Sequence, residues 1–416
     1  MLYLVEGSGD LYRHARLWCS ALVLSISGLS AQTVTLPTDT VVKATHRPWY
    51  ESFGIRGYGQ VRYNRLLETN DKLRCPSCDA SWGDNGGLFL RRARVIISGQ
   101  VHPRVYLYMQ ADFAQPVAAN YQSMAQIRDW YMDVGLDKKN ELRVRMGQSK
   151  VPYGFENMQS SSHRLPMDRA DAMNTGVPNE RDLGCFLYWA PKKYRDLFKS
   201  LTEEGLKGTG DYGLVGLGAY NGQSANRAES NDELHLAARV TLPIKLGSQI
   251  IEPGIQAYTG HYTVMADQRS AGVKANSDWT YLDQRIAGSL VLYPKPFGVL
   301  AEYNVGKGPE YDAATDSITT KDLSGGFVTA TYRIKVKEHL IMPFARYQVY
   351  EGGRKNELDA RSYSVNDFEF GVEWLPIKNF ELTAEYYLGD RRFEDHVLHP
   401  NTREGNLLRL QAQFNF

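Results

Sequence analysis

The last nine residues of the chain alternate apolar and polar side chains without a break. The apolar positions come first and the polar positions second in the following list: Leu408, Leu410, Ala412, Phe414, Phe416; Arg409, Gln411, Gln413, Asn415. A β-strand directs successive side chains to opposite faces, so this segment is predicted to be a strand with one apolar and one strongly polar face. Such a strand suits a sheet that separates an apolar environment from water.

Fifteen further segments follow the same alternation, which brings the number of predicted strands to sixteen. They are residues 53–63, 88–101, 104–113, 127–136, 142–149, 185–190, 212–220, 234–242, 250–260, 280–293, 297–305, 326–334, 340–350, 368–375 and 380–388. Most are close to the ~9–11 residues that a tilted strand needs to cross a bilayer. Their polar faces carry Arg, Gln, Asp and Tyr, which suit a water-filled lumen and not the dry core of a soluble sandwich.

The connections between these strands alternate in length almost throughout. Long connections such as 64–87 and 150–184 alternate with short turns such as 102–103 and 137–141. This sorting is typical of transmembrane antiparallel β-barrels, which have long extracellular loops, short periplasmic turns and an even number of strands. A soluble β-sandwich, the competing fold, has no reason to sort its loops in this way. The sequence therefore predicts an all-β transmembrane barrel of about sixteen strands over residues 53–416.

One connection, residues 191–211, departs from the alternation of loop lengths. Tyr194, Leu197, Phe198 and Leu201 recur in it at helical spacing. We predict a short periplasmic helix that packs on the barrel mouth, with an extra hairpin as the alternative.

The composition excludes several other classes of protein. The 48 Lys+Arg and 47 Asp+Glu residues leave a net charge of +1, which argues against a nucleic-acid binder. The mean hydropathy is −0.42, and one apolar stretch near the N-terminus is all that is worth testing as a membrane helix, so a helical membrane protein is excluded. The sequence shows no catalytic constellation, so we predict neither an enzyme nor a metal or cofactor site.

The N-terminal segment has the features of a secretory signal. Basic residues precede an apolar run that is too short to span a bilayer (Arg13, His14, Arg16; 17–29). We predict a signal peptide over residues 1–31, an N-terminal periplasmic segment over 32–52, and export to the outer membrane of a Gram-negative bacterium. A buried N-terminal helix is the alternative for the apolar run.

Two cysteines lie close together in the first long connection. Cys75 and Cys78 enclose a Pro-Ser pair, a spacing shared by zinc half-sites, redox pairs and small disulfides. The sequence context shows neither two further metal ligands nearby nor a helix of an α/β fold. An oxidising compartment therefore favours a disulfide between the two thiols.

The alternation also assigns charged residues to the lumen. Basic residues concentrate on the first five strands, on the last strand and in the connection 150–184: Arg56, Arg62, Arg92, Arg94, Arg104, Arg143, Arg145, Lys150, Arg181, Arg409. Acidic residues form a wall on predicted strands fourteen and fifteen: Glu369, Glu373, Glu381, Glu385. Because rows of arginine attract anions, we predict that the basic set lines the pore as an anion path. The alternative is that Arg and Glu pair across neighbouring strands and fill the lumen.

Several short motifs occur in a defined order along the chain. They are Leu90-Arg91-Arg92-Ala93-Arg94, the run 146–156, Glu180-Arg181-Asp182-Leu183-Gly184, Ala219-Tyr220-Asn221-Gly222, Arg346-Tyr347 and the terminal Phe416. Together they resemble the phosphate-selective porin O and P family, and the resemblance covers roughly residues 50–416. The aromatic end at Phe416 is also similar to the terminal strand signal that outer-membrane assembly machinery recognises.

The resemblance implies a sixteen-stranded, trimeric outer-membrane channel whose best-known members pass phosphate or polyphosphate. It also implies that Arg92, Arg94 and the loop beginning at Lys150 belong to the anion path. The connection 150–184 is the longest external one, and we expect it to fold into the pore and constrict it. Selective family members carry lysines after the motif that ends at Glu156, where this chain has Asn, Gln and Ser.

We therefore predict a porin, a passive diffusion channel for small hydrophilic solutes with a preference for anions such as phosphate. Its expected partners are outer-membrane lipid and two further copies of the chain, or other subunits of an outer-membrane complex. The alternative is a barrel plugged by its loops and Arg–Glu pairs, which acts as a structural or accessory subunit of a larger assembly.

Overall fold

A computed structural model describes residues 49–67, 87–114, 123–398 and 401–416 of the chain. The predicted signal peptide over 1–31, most of the segment 32–52 and the predicted Cys75–Cys78 disulfide lie outside the described residues. The described residues begin with a single turn of 3₁₀-helix, Trp49–Ser52, and continue directly into the first strand.

The fold is an antiparallel sheet whose strands are, in chain order, β1 (Phe53–Leu66), β2 (Gly87–His102), β3 (Val105–Ala114), β4 (Ser123–Gly135), β5 (Leu142–Lys150), β6 (Arg181–Trp189), β7 (Val215–Tyr220), β8 (His235–Thr241), β9 (Ile244–Leu246), β10 (Gln249–Thr263), β11 (Thr280–Leu292), β12 (Phe297–Asp312), β13 (Ser317–Tyr332), β14 (Ile334–Val336), β15 (His339–Gly353), β16 (Ser362–Ile377), β17 (Phe380–Glu394) and β18 (Asn401–Asn415). The strands pair in the order in which they follow one another along the chain, so the sheet is a meander, except that β8 and β9 both pair with β10, and β13 and β14 both pair with β15.

Two of the barrel strands are each interrupted by one short break. Pro243 lies between β8 and β9, where it has no N–H to donate to the sheet. Arg333 lies between β13 and β14, and its N–H binds the carbonyl oxygen of Pro296 in the neighbouring turn at 2.8 Å. When β8 and β9 are counted as one strand, and β13 and β14 as another, the eighteen segments make sixteen barrel strands. The predicted strand number is therefore confirmed.

The first and last strands close the sheet on itself. β1 pairs with β2 on one side and with β18 on the other, and Tyr58 lies opposite Asn415. The backbones of Gly57 and Phe416 exchange two hydrogen bonds of 2.9 and 3.0 Å. The ring of Phe416 lies directly over Gly57, where a Cβ would come within 2.5 Å of the ring. The alternating C-terminal segment thus forms the seam of the predicted barrel.

The two faces of the strands divide as the alternation predicts. On β8, Leu236 and Val240 are exposed on the outer surface. His235 and Arg239, which precede them directly in the sequence, are buried inside the barrel. The inward faces of the other strands likewise carry mainly Arg, Gln, Asp, Glu and Tyr. None of the helices among the described residues is long and apolar enough to cross a membrane.

Several strands extend beyond their predicted ends. β12 continues to Asp312, and β13 begins at Ser317. Most of the predicted loop 306–325 is therefore part of a long hairpin. β6 begins at Arg181 and not at residue 185, which shortens the connection after Lys150. In both places the backbone keeps pairing after the apolar alternation has ended, because sheet hydrogen bonds do not require a lipid-facing side chain.

The connection between β6 and β7 contains a helix, α3 (Lys192–Glu203). Phe198 and Leu201 are its buried residues, and they pack in a cluster that includes Ile250 and Tyr293 at the short-turn end of the barrel. We call this end the turn side and the opposite end the loop side.

Candidate functional site

The connection between β5 and β6, residues 151–180, folds into the barrel, and we call it the pore loop. It contains two single-turn helices, α1 (Phe155–Met158) and α2 (Asp171–Asn174), and a 3₁₀ turn, Pro178–Glu180. Gln60 on β1 donates to the carbonyl oxygen of Ser161 at 3.1 Å, and Arg285 on β11 donates to the hydroxyl of Thr175 at 2.8 Å. β1 and β11 lie on opposite sides of the barrel, so the loop crosses the lumen.

The first helical turn of the pore loop is bound by an acidic and a basic side chain of the barrel wall. The carboxylate of Glu302 on β12 accepts the backbone N–H groups of Phe155 and Glu156, both at 2.7 Å. Arg346 on β15 donates to Glu156 at 2.9 Å, and the other oxygen of Glu156 accepts the N–H of Ala170 at 2.8 Å. Arg346 also donates to Glu369 at 2.8 Å. The wall therefore fixes the backbone as well as the side chains of the loop.

Asp168 is surrounded by arginines from three strands. Its Oδ2 accepts from Arg62 on β1 and from Arg409 on β18, both at 2.6 Å, and its Oδ1 accepts from Arg91 on β2 at 3.1 Å. Arg92 lies 4.0 Å from Oδ1. Three of the ten residues predicted for the anion path therefore converge on one acidic residue of the pore loop.

Glu180 is the centre of a second cationic cluster at the base of the loop. Arg181 binds it, Arg169 lies 3.1 Å away, and Arg164 and Lys150 lie 3.7 and 3.9 Å away. Burial would raise the pKa of the Glu180 carboxyl, but the four cations outweigh burial and hold it well below its ordinary value. Glu180 is therefore ionised at neutral pH.

Asp171, near the loop side, completes the attachment of the loop. Asp171 binds Arg354 and lies 2.9 Å from Arg391 on β17. Each acidic residue of the loop thus pairs with at least one arginine outside the loop. Glu180 pairs in addition with Arg164 and Arg169, which belong to the loop itself.

Two further arginines face the inside of the barrel because of β-bulges. Strict alternation would place both of them on the outer surface. A register shift between Gln60 and Val61 makes Arg91 the extra residue of a bulge beside Arg92. A second shift on β4, opposite Gln110 and Ala111, does the same for Arg128. A bulge inserts a residue and reverses the alternation locally. Alternation alone therefore does not predict these two inward arginines, although Arg91 lies within the motif Leu90-Arg91-Arg92-Ala93-Arg94.

A cavity of about 690 Å³ opens on the turn side below the pore loop. Eleven cationic and five acidic side chains line it. They are Arg56, Arg94, Arg104, Lys139, Arg143, Arg145, Lys150, Arg181, Lys192, Arg195 and Lys199, with Asp129, Asp133, Asp196, Glu203 and Asp211. Seven of the ten residues predicted for the anion path belong to this set.

Most of these arginines are held by carboxylates of the wall, but two are not. Arg145 donates to Asp133 at 2.7 and 2.9 Å and lies over the ring of Tyr131 at 3.9 Å. In contrast, Arg56 and Arg104 form no ion pair with any described residue, and both are exposed within the cavity. The cavity therefore presents a surplus of positive charge to solvent.

The four glutamates of the predicted acidic wall all face the inside and are bound by neighbours. Glu369 and Glu385 bind Arg409, and Glu385 also accepts the N–H of Met167 at 3.0 Å. Lys207 donates to Glu373 at 2.6 Å. Glu381 accepts from Gln413 at 3.4 Å. Glu369 and Glu385 thus bind an arginine, as the pairing alternative predicts, whereas Glu373 binds a lysine of the connection before β7 and Glu381 accepts from an amide.

Comparison with known proteins places this geometry in a family. The family described as phosphate-selective porin O and P matches residues 76–416. No curated protein matches the chain.

Three solved structures with similar folds are outer-membrane channels or porins. The outer membrane channel DcaP of Acinetobacter baumannii is 15% identical, with a TM-score of 0.56 over 88% of this chain and 97% of that one. OmpF of Salmonella typhi is 13% identical, with a TM-score of 0.55 over 88% and 97%. An anion-selective porin from Comamonas acidovorans is 9% identical, with a TM-score of 0.50 over 88% and 99%. These TM-scores and coverages establish a shared fold. Because the family match covers most of the chain, the chain belongs to the phosphate-selective porin O and P family.

Proposed function

We propose that this outer-membrane porin passes small hydrophilic solutes by passive diffusion and favours anions such as phosphate. The observation that carries the proposal is the excess of eleven cationic over five acidic side chains in the turn-side cavity. Arg56 and Arg104 supply unpaired charge there, and guanidinium groups replace part of the hydration shell of an oxyanion. The fold shared with an anion-selective porin supports the same preference.

The remaining features of the proposal follow from the same architecture. We infer that residues 1–31 direct export, that the turn side faces the periplasm, and that the apolar outer surface contacts outer-membrane lipid. We also propose a homotrimer without catalytic activity, since a related fold, OmpT of Vibrio cholerae, is described in a trimer form.

A planar-bilayer measurement tests the proposed preference. The purified protein in a KCl gradient should give stepwise currents with a reversal potential on the chloride side, and replacing chloride with phosphate should keep a measurable current. A reversal potential on the potassium side would overturn the anion preference while leaving the channel function intact.

The pore loop supports a second candidate, a plugged barrel that serves as a structural or accessory subunit. Glu156, Asp168, Asp171 and Glu180 each tie the loop to the wall by buried ion pairs. If this candidate is correct, the folded protein will insert into the bilayer without conductance steps in either chloride or phosphate.

A further inference from the structure

The arrangement around Asp168 has the form of an oxyanion site filled by the protein itself. Arg62 is fully buried and Arg409 nearly so, yet both direct guanidinium groups at one carboxylate oxygen of the pore loop at 2.6 Å. Arg91, on a third strand, binds the second oxygen. A single carboxylate thus occupies a space where arginines of β1, β2 and β18 converge.

The arginines offer more donors than this carboxylate can accept. Arg92 donates to the side chain of Gln60 at 2.7 Å through one terminal nitrogen. Its other terminal nitrogen lies 4.0 Å from Asp168, which is beyond hydrogen-bond distance, and its buried Nε has no partner among the described residues. Arg91, Arg94 and Arg164 all repel Arg92 electrostatically. A buried cationic donor without an acceptor is costly, so an additional acceptor at this position would stabilise the site.

A tetrahedral oxyanion matches this arrangement better than Asp168 does. It presents four oxygen atoms and up to two negative charges, whereas a carboxylate presents two oxygen atoms and one charge. Guanidinium groups bind such oxygen atoms in bidentate fashion. The side chain of Asp168 is 19% exposed and that of Arg91 is 21% exposed, so the site is in contact with solvent.

We propose that Asp168 is a tethered substitute for a permeating oxyanion, and that an oxyanion such as phosphate or sulfate displaces it from Arg62, Arg91, Arg92 and Arg409. The displacement releases the loop segment around Asp168 from β1, β2 and β18 and widens the passage beside it. The pore loop then inhibits passage through the barrel, and the transported anion relieves this inhibition when it displaces Asp168. This inference rests on the proposed channel function.

The remaining contacts of the loop confine the movement to that segment. Arg346 binds Glu156 and the carbonyl oxygen of Asp168, both at 2.9 Å, and Glu180 keeps its own cations. Arg409 keeps Glu369 and Glu385 as partners when Asp168 leaves. The exchange therefore substitutes one anion for another without unfolding the loop.

The test compares the wild-type protein with Asp168→Asn and with a matched control, Asp322→Asn. Asp322 pairs with Lys307 at 2.8 Å and is 82% exposed, so its substitution removes the same charge away from the lumen. Single-channel conductance is measured in KCl alone and with added inorganic phosphate or sulfate. Binding of phosphate to the detergent-solubilised proteins is measured by calorimetry.

We expect millimolar phosphate or sulfate to increase the wild-type conductance above its value in chloride alone. Asp168→Asn should show the increased conductance already in chloride, and it should bind phosphate at least about tenfold more tightly, because the competing charge is gone. Asp322→Asn should behave as the wild type. Phosphate that changes neither the wild-type conductance nor the behaviour of Asp168→Asn would overturn the inference.

The failure of this inference is distinct from failure of the channel function. A steady conductance that is insensitive to oxyanions and to Asp168→Asn would leave the porin intact and remove the autoinhibitory role. Absence of any conductance in every protein would remove the channel itself. If Asp168→Asn does not fold, as judged by its mobility before and after heating, the oxyanion dependence of the wild-type conductance decides the question.

Discussion

Arg346 on β15 donates a hydrogen bond of 2.9 Å to Glu156 of the pore loop, and both side chains are buried inside the barrel with no more than 1% exposure. The same guanidinium group binds Glu369 on the adjacent β16. One arginine therefore joins two strands and the inserted loop. Removing one partner of such a buried ion pair strongly destabilises a protein, because the other charge remains buried without compensation.

Substitution Glu156→Gln should weaken the attachment of the pore loop. Arg346 retains Glu369, so we expect a decrease of about 1–3 kcal/mol in the free energy of unfolding. Guanidinium titration followed by tryptophan fluorescence measures this decrease. Glu203→Gln on the exposed face of α3 is the control and should change stability little, because Glu203 forms only a surface pair with Lys199. Equal stabilities of the two variants would contradict the role of Glu156.

Charge reversal at Arg56 and Arg104 should reduce the anion preference. Both side chains face the turn-side cavity without an ion pair, so each reversal changes the local charge by two within a Debye length of about 8–10 Å. We expect the ratio of chloride to potassium permeability to fall at least about twofold. Reversal potentials in a KCl gradient give this ratio.

The control for this experiment is Arg227→Glu, which reverses a charge at an exposed pair with Asp267 away from the cavity. A permeability ratio that responds equally to Arg227→Glu and to the cavity variants would show that the turn-side cavity does not set the selectivity.

The stability of the barrel should depend on pH through Glu180. The pKa of its carboxyl is lowered in the folded protein, below the ordinary value of 4.5, because burial is outweighed by four cations. The unfolded chain therefore binds a proton first as the pH falls, and the stabilisation by Glu180 is complete above pH 4.5 and lost on acidification toward the folded pKa.

Glu180→Gln removes this dependence. At neutral pH we expect the variant to be less stable than the wild type by about 3 kcal/mol or more, as for other broken buried pairs. The difference should shrink when the unfolding titration is repeated at acidic pH. A difference that grows on acidification would contradict the assigned direction of the pKa change.

Substitution Phe416→Ser should reduce assembly more than stability. The two backbone hydrogen bonds between Gly57 and Phe416 do not depend on the ring, so refolding from urea into detergent should remain efficient. The amount of folded protein in the outer membrane should fall several-fold if the terminal aromatic is read by assembly machinery. Equal losses in both assays would assign Phe416 a purely structural role.

Much of the fold could be predicted from the sequence, since alternation has the same period as the strand. The strand number, the closing role of residues 408–416 and the burial of Arg62 and Arg94 follow from counting every second residue. The prediction missed Arg91 and Arg128, since a bulge shifts the alternation by one residue and leaves no mark in the pattern.

The sequence by itself determined the barrel, because a period of two and the lengths of the connections are local properties of the chain. It also determined which charged residues face inward on regular strands. Only the tertiary structure decided which charges neutralise one another: Asp168 is 106 residues from Arg62 and 241 residues from Arg409, and they meet only because the barrel closes around an inserted loop. Coulomb interactions depend on distance in space and on burial, and neither of these can be read from spacing along the chain.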